Sequence, residues 1–477
     1  MNVDDLQWQL SARGGVLPRI VDEILERGGL EALVEAARER EDWFCAVGAV
    51  RGLCEAGEFG RAWAVVEPFA ATGWQPALRA GADVLSRWGR LDRALELARP
   101  KGPQEHAFDT WRDHAEVLVR AGRVDEAIGV LDPRLRGGRA MDALVEMTEG
   151  QGCDDRLLEL LAPIAEEFRH DPEQPGVRDL WGVLPAQARV LERSGRADEA
   201  VRLLGTDVAA RRHGSQNAVE AYAELLARHG RVEALHVLAD THRHAAVRPY
   251  VRALESLGRA GEAEAYLRDL IATGHPGWYE NTLMELLVRQ GRFDDAVEAV
   301  EHTFDDPHDG NFLQAAMFLL AEHGQHARAL ELTQGRSPGF LAENEVFWLR
   351  PNRWRLMGES GRVREAIAEV EALPPGEVND RELTIAWLLA RDGRVEEAMA
   401  RLRPLPGKRA ATDLAELLIR QGRFTEAIAA IPDVAAQQAE ERRFWTRRAE
   451  PEEATRSHVG EESCDDPWTS PSTAPWS

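Results

Sequence analysis

Histidines, cysteines and clustered carboxylates are the residues through which this chain could do chemistry. His229, His236, His242 and His244 fall close together with Asp240 as the nearest carboxylate, the types that hold zinc or shuttle protons. No cysteine stands near them, and His242 and His244 flank Arg243 in an apparent loop between helices. Surface histidines are the reading that this spacing supports, and His323 and His326 in a turn read the same way. Asp305, Asp306, His308 and Asp309 look like a catalytic cluster until Pro307 and Gly310 are noticed; those make the segment a loop tip. Cys45, Cys54, Cys153 and Cys464 show no metal-type pairing, so reduced, mostly buried thiols are expected. The chain carries no phosphate loop, no His-Glu-x-x-His and no nucleophile elbow. The expectation is a protein that is not an enzyme and needs no cofactor and no metal.

The elements that position these residues are written in one returning phrase: glycine, usually arginine, one residue, an acidic pair, alanine. It reads Gly122-Arg123-Val124-Asp125-Glu126-Ala127, then recurs from Gly195, Gly291 and Gly393. Looser copies start at Gly57, Gly89, Gly258, Gly324, Gly361 and Gly422, each with alanine five residues on, and Gly152 and Gly230 start degenerate ones with Leu157 and Leu235 in that place. The mean interval is about 33 residues, the length of a stacked helical repeat.

Around Gly122, Trp111, Ala115, Leu118 and Val119 share one helical face upstream, and Val124, Ala127, Ile128 and Leu131 share one downstream until Asp132-Pro133. Each repeat therefore reads as helix, glycine turn, helix. Glycine takes the left-handed conformation that ends the first helix. The arginine sits at that helix's negative end and the acids at the next helix's positive end. These arginines are accordingly turn residues rather than a phosphate-binding ridge, since each travels with acids that repel phosphate. Four residues before the glycine a large apolar residue stands in every copy except that at Gly152, and seven before it a small one recurs at Ala82, Ala115, Ala188, Ala223, Ala386 and Ala415. A unit of this kind buries its apolar face only by stacking on neighbours.

Trp111, Ala115, Leu118, Gly122, Ala127 and Pro133 stand close to the signature positions of the tetratricopeptide-repeat (TPR) family, which the pattern resembles over about residues 40 to 432. The resemblance implies an all-α fold, a right-handed α-solenoid of about twelve helix-turn-helix repeats, whose concave face binds peptides or helices of other proteins. Trp354 and Met317 occupy the small-residue place, and the usual tyrosine near the end of the first helix is mostly leucine. Those departures leave open the pentatricopeptide arrays and other TPR-like superhelices. The lysine and asparagine clamp by which one subset grips acidic C-termini is missing: the only lysines are Lys101 and Lys408.

Along the chain, residues 1–40 read as an N-terminal helical cap, with helical spacing on both sides of Gly28-Gly29, and 41–432 as the array. The array is irregular near 166–179, a polar segment with Pro172 and Pro175, and near 335–347, which opens Gly335-Arg336-Ser337-Pro338-Gly339. Phe304 to Gly310 and Pro374 to Asp380 read as polar tips. Residues 433–449 read as a C-terminal helical cap, where Arg442-Arg443-Phe444-Trp445-Thr446-Arg447-Arg448 is either the polar face of that cap or a docking motif. Residues 450–477, acidic and then rich in Ser, Thr and Pro, read as a disordered tail. A net charge of −24 argues against nucleic acid and anionic membrane and suits a protein partner with a basic surface. With an acidic start, no signal peptide and no membrane-length apolar run, a cytoplasmic location is expected.

Residues six, ten and thirteen before each glycine are expected to face the groove. In the C-terminal half they include Trp278, Asn281, Glu285, Asn311, Gln314, Phe318, Trp348, Arg355 and Trp387; in the N-terminal half Arg51, Arg79, Asp83, Arg112, Glu116 and Arg189 make a more charged surface. Aromatics and arginine are common binding anchors. The expected function is a non-enzymatic interaction scaffold. The alternatives are an RNA-binding array of pentatricopeptide type, to which the N-terminal arginines lend some weight, and a peptide-sensing regulatory arm. A barrel of helix pairs with paired carboxylates, as in some glycosidases, does not need the regular glycine-acid-alanine turn.

Overall fold

The computed structural model describes residues 1–101, 108–137, 139–170, 182–210, 216–273, 278–304, 310–374 and 380–449. The tail 450–477, the tip residues 305–309 and 375–379, and most of the polar segment before Gly182 lie outside the described residues.

Helix α1 (Val3–Ser11) opens the chain, followed by α2 (Pro18–Glu26) and α3 (Leu30–Glu39). The repeats then pair a first and a second helix: α4 (Trp43–Glu55) with α5 (Phe59–Ala70), α6 (Gln75–Arg87) with α7 (Leu91–Ala98), α8 (Phe108–Arg120) with α9 (Val124–Leu131), and α10 (Arg139–Met147) with α11 (Asp154–His170). Next come α12 (Val183–Arg193) with α13 (Ala197–Ala210), α14 (Gln216–Arg228) with α15 (Val232–Thr241), α16 (Arg243–Ser256) with α17 (Ala260–Ala272), α18 (Trp278–Arg289) with α19 (Phe293–Glu298), and α20 (Asn311–Glu322) with α21 (His326–Glu331). An extra helix, α22 (Pro338–Asn344), leads through a π-helical stretch at Glu345–Leu349 into α23 (Arg350–Glu359), which pairs with α24 (Val363–Ala372). The chain finishes with α25 (Arg381–Arg391) and α26 (Val395–Leu402), α27 (Lys408–Arg420) and α28 (Phe424–Ala430), then α29 (Val434–Ala449). No strand occurs among the described residues.

The returning phrase has a physical cause at each position. Gly122 has φ +73° with open space around it, and Arg123 N donates to Leu118 O at 2.9 Å, closing the first helix with a Schellman-type bond. The same bond runs from Arg196 to Leu191, Arg259 to Leu254 and Arg394 to Leu389, so the leucine four before the glycine supplies both the capping carbonyl and a buried side chain. The alanine five after it is fully buried at Ala62, Ala94, Ala127, Ala200, Ala263, Ala296, Ala329, Ala366, Ala398 and Ala427, where one helix leans on the next and a larger residue would overpack. The turn arginine pairs with the second acid of its own phrase: Arg123 with Glu126 at 2.6 Å, Arg196 with Glu199 at 2.7 Å, Arg394 with Glu397 at 2.6 Å. Hydrogen bonds from these arginines hold the three glutamate carboxyls below their ordinary range. Several first acids reach the following unit, as Asp125 does Arg156 and Asp198 does Arg231. Replacing Gly122 by alanine forces an L side chain into the left-handed region and is expected to cost about 1 kcal/mol, read from the urea midpoint.

Successive first helices pack side by side along the array, α4 on α6, α6 on α8, α8 on α10, α10 on α12, α12 on α14 and α14 on α16. Among the described residues successive second helices come comparably close only at α3 with α5 and α3 with α28. Crowded first helices and splayed second helices put the first set on the inside of the curve.

The array also meets itself. Helices α2 and α3 form one more pair about a turn at Gly28, φ +86°; α2 packs on α4 on one side and on α27 on the other, and α3 packs on α28. At this seam Arg19 pairs with Glu416 at 2.9 Å, and the Phe424 ring lies against Gly29 and beside Ile24. The Arg40 guanidinium donates to the carbonyls of Ile428 and Ile431, and Lys408 Nζ donates to Arg13 O. Helix α29 closes over the junction: Gln437 exchanges hydrogen bonds with the Gly15 backbone at 3.1 and 3.2 Å, and Trp8 Nε1 donates to Glu441 at 2.6 Å. The larger apolar cluster runs through the seam, joining Ile20, Ile24 and Leu33 to Leu418, Ala427 and Ile428. The segments expected as separate caps thus lie against each other, and the solenoid is a closed ring.

Candidate functional site: the inner face

The histidines that could have bound metal are dispersed. His229 Nε2 lies 2.8 Å from Glu192, His236 stacks on Tyr250 with ring centroids 5.0 Å apart, and His242 sits in the joint between α15 and α16. Among the described residues no group of three or more His, Cys, Asp or Glu is placed to hold a metal ion; Asp305, Asp306, His308 and Asp309 lie outside them. Cys45 and Cys54 are buried and Cys153 partly so, and burial pushes all three thiols above their ordinary range. Cys464 lies outside the described residues. No helix among the described residues is long and apolar enough to cross a membrane.

On the inner face, several arginines in the first half of the ring are met by carboxylates of the chain. Arg51 pairs with Asp22, Arg79 with Asp113 at 3.4 Å and Glu116 at 3.6 Å, and Arg112 with Glu116 at 3.6 Å. Arg120 pairs with Asp83 at 2.5 Å, Arg189 with Asp142 at 3.6 Å and Arg228 with Glu192 at 2.8 Å. Half-exposed pairs of this kind contribute little to stability, but they leave these arginines matched by carboxylates of their own chain.

The arc from α16 to α25 is different. Phe318 remains 36% exposed, with the Arg355 guanidinium over its ring at 5.2 Å, a cation–π distance. Arg391 lies over Trp387 at 5.2 Å. Asn281 Oδ1 and Arg355 Nε are shielded from solvent without a hydrogen-bond partner among the described residues. Glu285 pairs with Arg248 and, at 3.8 Å, with Arg289. Asn311 starts α20 in an exposed position and Gln314 is half-buried one turn on. Trp348 is half-buried in helix packing: its Nε1 donates to Asn344 at 2.7 Å, its ring meets Phe340 edge-on, and it closes over Gly310. Trp387 closes over Gly358 of the preceding first helix, so its indole is divided between packing and the inner surface. The Trp278 side chain lies outside the described residues.

Two members of this arc escaped the sequence reading. Arg252 stands six before Gly258 and shares the −6 register with Glu285, Phe318, Arg355 and Trp387, so the rule itself points to it. Arg391, two before Gly393, falls outside the three offsets and is found only from its contact with Trp387.

The helix pairs and the inner face they line define a TPR-like helical-repeat protein, an α-solenoid closed on itself. No protein-family model and no curated protein matches the chain. Among solved structures it is similar to Naa15/Naa10 bound to HypK-THB, at 15% identity over 84% of this chain and 71% of that one with TM-score 0.36. It is also similar to the pentatricopeptide repeat protein PPR10 in complex with an 18-nt psaJ RNA element, at 14% identity over 86% and 74%, TM-score 0.29. A third similarity is to APC/C Cut9-Hcn1, at 12% identity over 88% and 94%, TM-score 0.24. Superpositions at these scores carry no argument about the site.

Proposed function

We propose that this protein is a non-enzymatic interaction scaffold that holds a peptide or helix of a partner protein against the inner face between α16 and α25. The observation that carries this reading is Phe318: an aromatic ring left exposed on a first helix and capped by an arginine, while the neighbouring first helix carries a shielded amide oxygen, Asn281 Oδ1, with no partner among the described residues. Aromatic and arginine anchors of this kind dominate binding energy at protein interfaces, and a partner's backbone N–H would satisfy Asn281 Oδ1. The arginines that lent weight to an RNA-binding array, Arg51, Arg79, Arg112 and Arg189, are each met by a carboxylate, which counts against that alternative.

Phe318→Ala tests the reading, with helicity measured beside binding because the ring is only 36% exposed. In a tagged pull-down with and without nuclease, wild type is expected to retain a defined protein in both conditions and Phe318→Ala to lose it at unchanged helicity. Recovery that vanishes on nuclease treatment would move the assignment to the nucleic-acid array, and retention by Phe318→Ala would remove the inner arc as the site.

A further inference from the structure

We infer that the segment bound on this arc is acidic, its carboxylates meeting Arg252, Arg355 and Arg391; the inference rests on the binding role proposed for the same face. Five arginines elsewhere on the inner face, Arg51, Arg79, Arg120, Arg189 and Arg228, are each met by a carboxylate of the chain. Arg248 and Arg289, within the arc, are neutralised by Glu285 and Glu255. Among the described residues Arg252 has no carboxylate, hydrogen-bond or ring partner, and Arg355 and Arg391 lie over rings rather than against acids. An arginine held over an aromatic ring does not use its N–H donors on an acid, and those donors are the part matched to a carboxylate. Arg355 Nε, shielded and unpartnered, is a donor of this kind already out of water, where a charge-assisted hydrogen bond is strongest.

The spacing sets the ligand's length. Arg252, Asn281, Phe318, Arg355 and Trp387 with Arg391 stand on five successive first helices, α16, α18, α20, α23 and α25. α18 packs on α20 and α23 on α25; at about 10 Å for each packed step the four steps span at least about 40 Å, which takes at least about twelve residues of extended chain at about 3.3 Å each. A polypeptide fits better than a nucleic acid. A phosphate backbone presents a charge at every nucleotide and selects a continuous basic stripe, whereas here three cations are interspersed with amides, aromatics and the carboxylate of Glu285. The whole chain's charge of −24 opposes a polyanion at long range, yet within the arc three cations meet no carboxylate among the described residues.

The test is selection from a display library of random 12-residue peptides against the full chain, run beside a random 20-nucleotide RNA pool. The same selections are made on Arg355→Glu/Arg391→Glu, with circular dichroism confirming its helicity. Wild type is expected to enrich Asp and Glu at least twofold over the input. The best acidic peptide should lose about tenfold or more in affinity on the reversed variant, the scale of one charge-assisted contact. The reversed variant is expected to enrich Lys and Arg instead, a gain that misfolding does not produce. Peptides enriched without acidic bias, or with the same bias on both proteins, overturn the inference while leaving the groove standing. Recovery of no peptide removes the groove itself, and RNA retained by wild type alone transfers the site to nucleic acid.

Discussion

Asp42→Ala is expected to cost about 3 kcal/mol, the sum for two buried N–H groups left without acceptors. Asp42 is fully buried; one carboxylate oxygen accepts from Val16 N at 2.7 Å and the other from Cys45 N at 3.0 Å, capping α4. The loop it pins is also the loop the far end of the chain grips, through Arg13 O to Lys408 and the Gly15 backbone to Gln437. Urea denaturation measures the loss, and amide exchange should rise together at residues 13–17 and 434–438 although more than 400 residues separate them. Burial lifts the Asp42 carboxyl above its ordinary range. Folding therefore takes up protons just above about pH 4, and wild-type stability falls as pH rises through that window; the variant should lack this slope. A variant within 0.5 kcal/mol of wild type would mean that the loop has another anchor.

Gly29→Leu is expected to open the ring. A Cβ at Gly29 would lie 2.6 Å from the Ile24 side chain and 2.7 Å from the Phe424 ring, contacts that real Cβ atoms do not make. Overpacking at one site costs about 1–3 kcal/mol, and here the strain is relieved by parting α2 and α3 from α27 and α28. Small-angle scattering should show a larger radius of gyration at unchanged helicity, and adding Phe424→Ala should restore the compact ring by removing the obstructing side chain. An unchanged radius in Gly29→Leu would mean that the helices repack locally.

Much of this architecture is legible in the sequence because each repeat encodes its own turn. The glycine register locates Gly57 through Gly422, and every one of those twelve glycines has positive φ. The leucines and alanines at fixed offsets are buried because the same two contacts recur in each unit. The first pair was legible too: Gly28 is preceded by Ile24 at the leucine place and followed by Leu33 at the alanine place, the substitution also seen at Leu157 and Leu235. Without an acidic pair it reads as a cap. Closure left no such mark. It is made by single residues such as Arg40, Lys408 and Gln437, whose partners are backbone atoms nearly four hundred or more residues away, and a backbone carbonyl has no sequence signature. The candidate site is legible in its register but not in its charge balance. Whether an inner arginine is free depends on which acid the neighbouring helix presents, as Asp22 does for Arg51 and none among the described residues does for Arg252.

Meeting its own tail changes how the molecule can come apart. In a linear repeat array stability is a sum of unit terms and nearest-neighbour junctions; the outermost unit has one neighbour, so melting starts at the ends and runs inward. Here the packing of α2 on α27 and α3 on α28 gives every unit two neighbours. No position is terminal, and the first unit to melt must break two junctions wherever it lies. Fraying is thereby replaced by nucleation. The number of repeats is also no longer free to drift, because inserting or losing one alters the angle through which all the others must turn to meet.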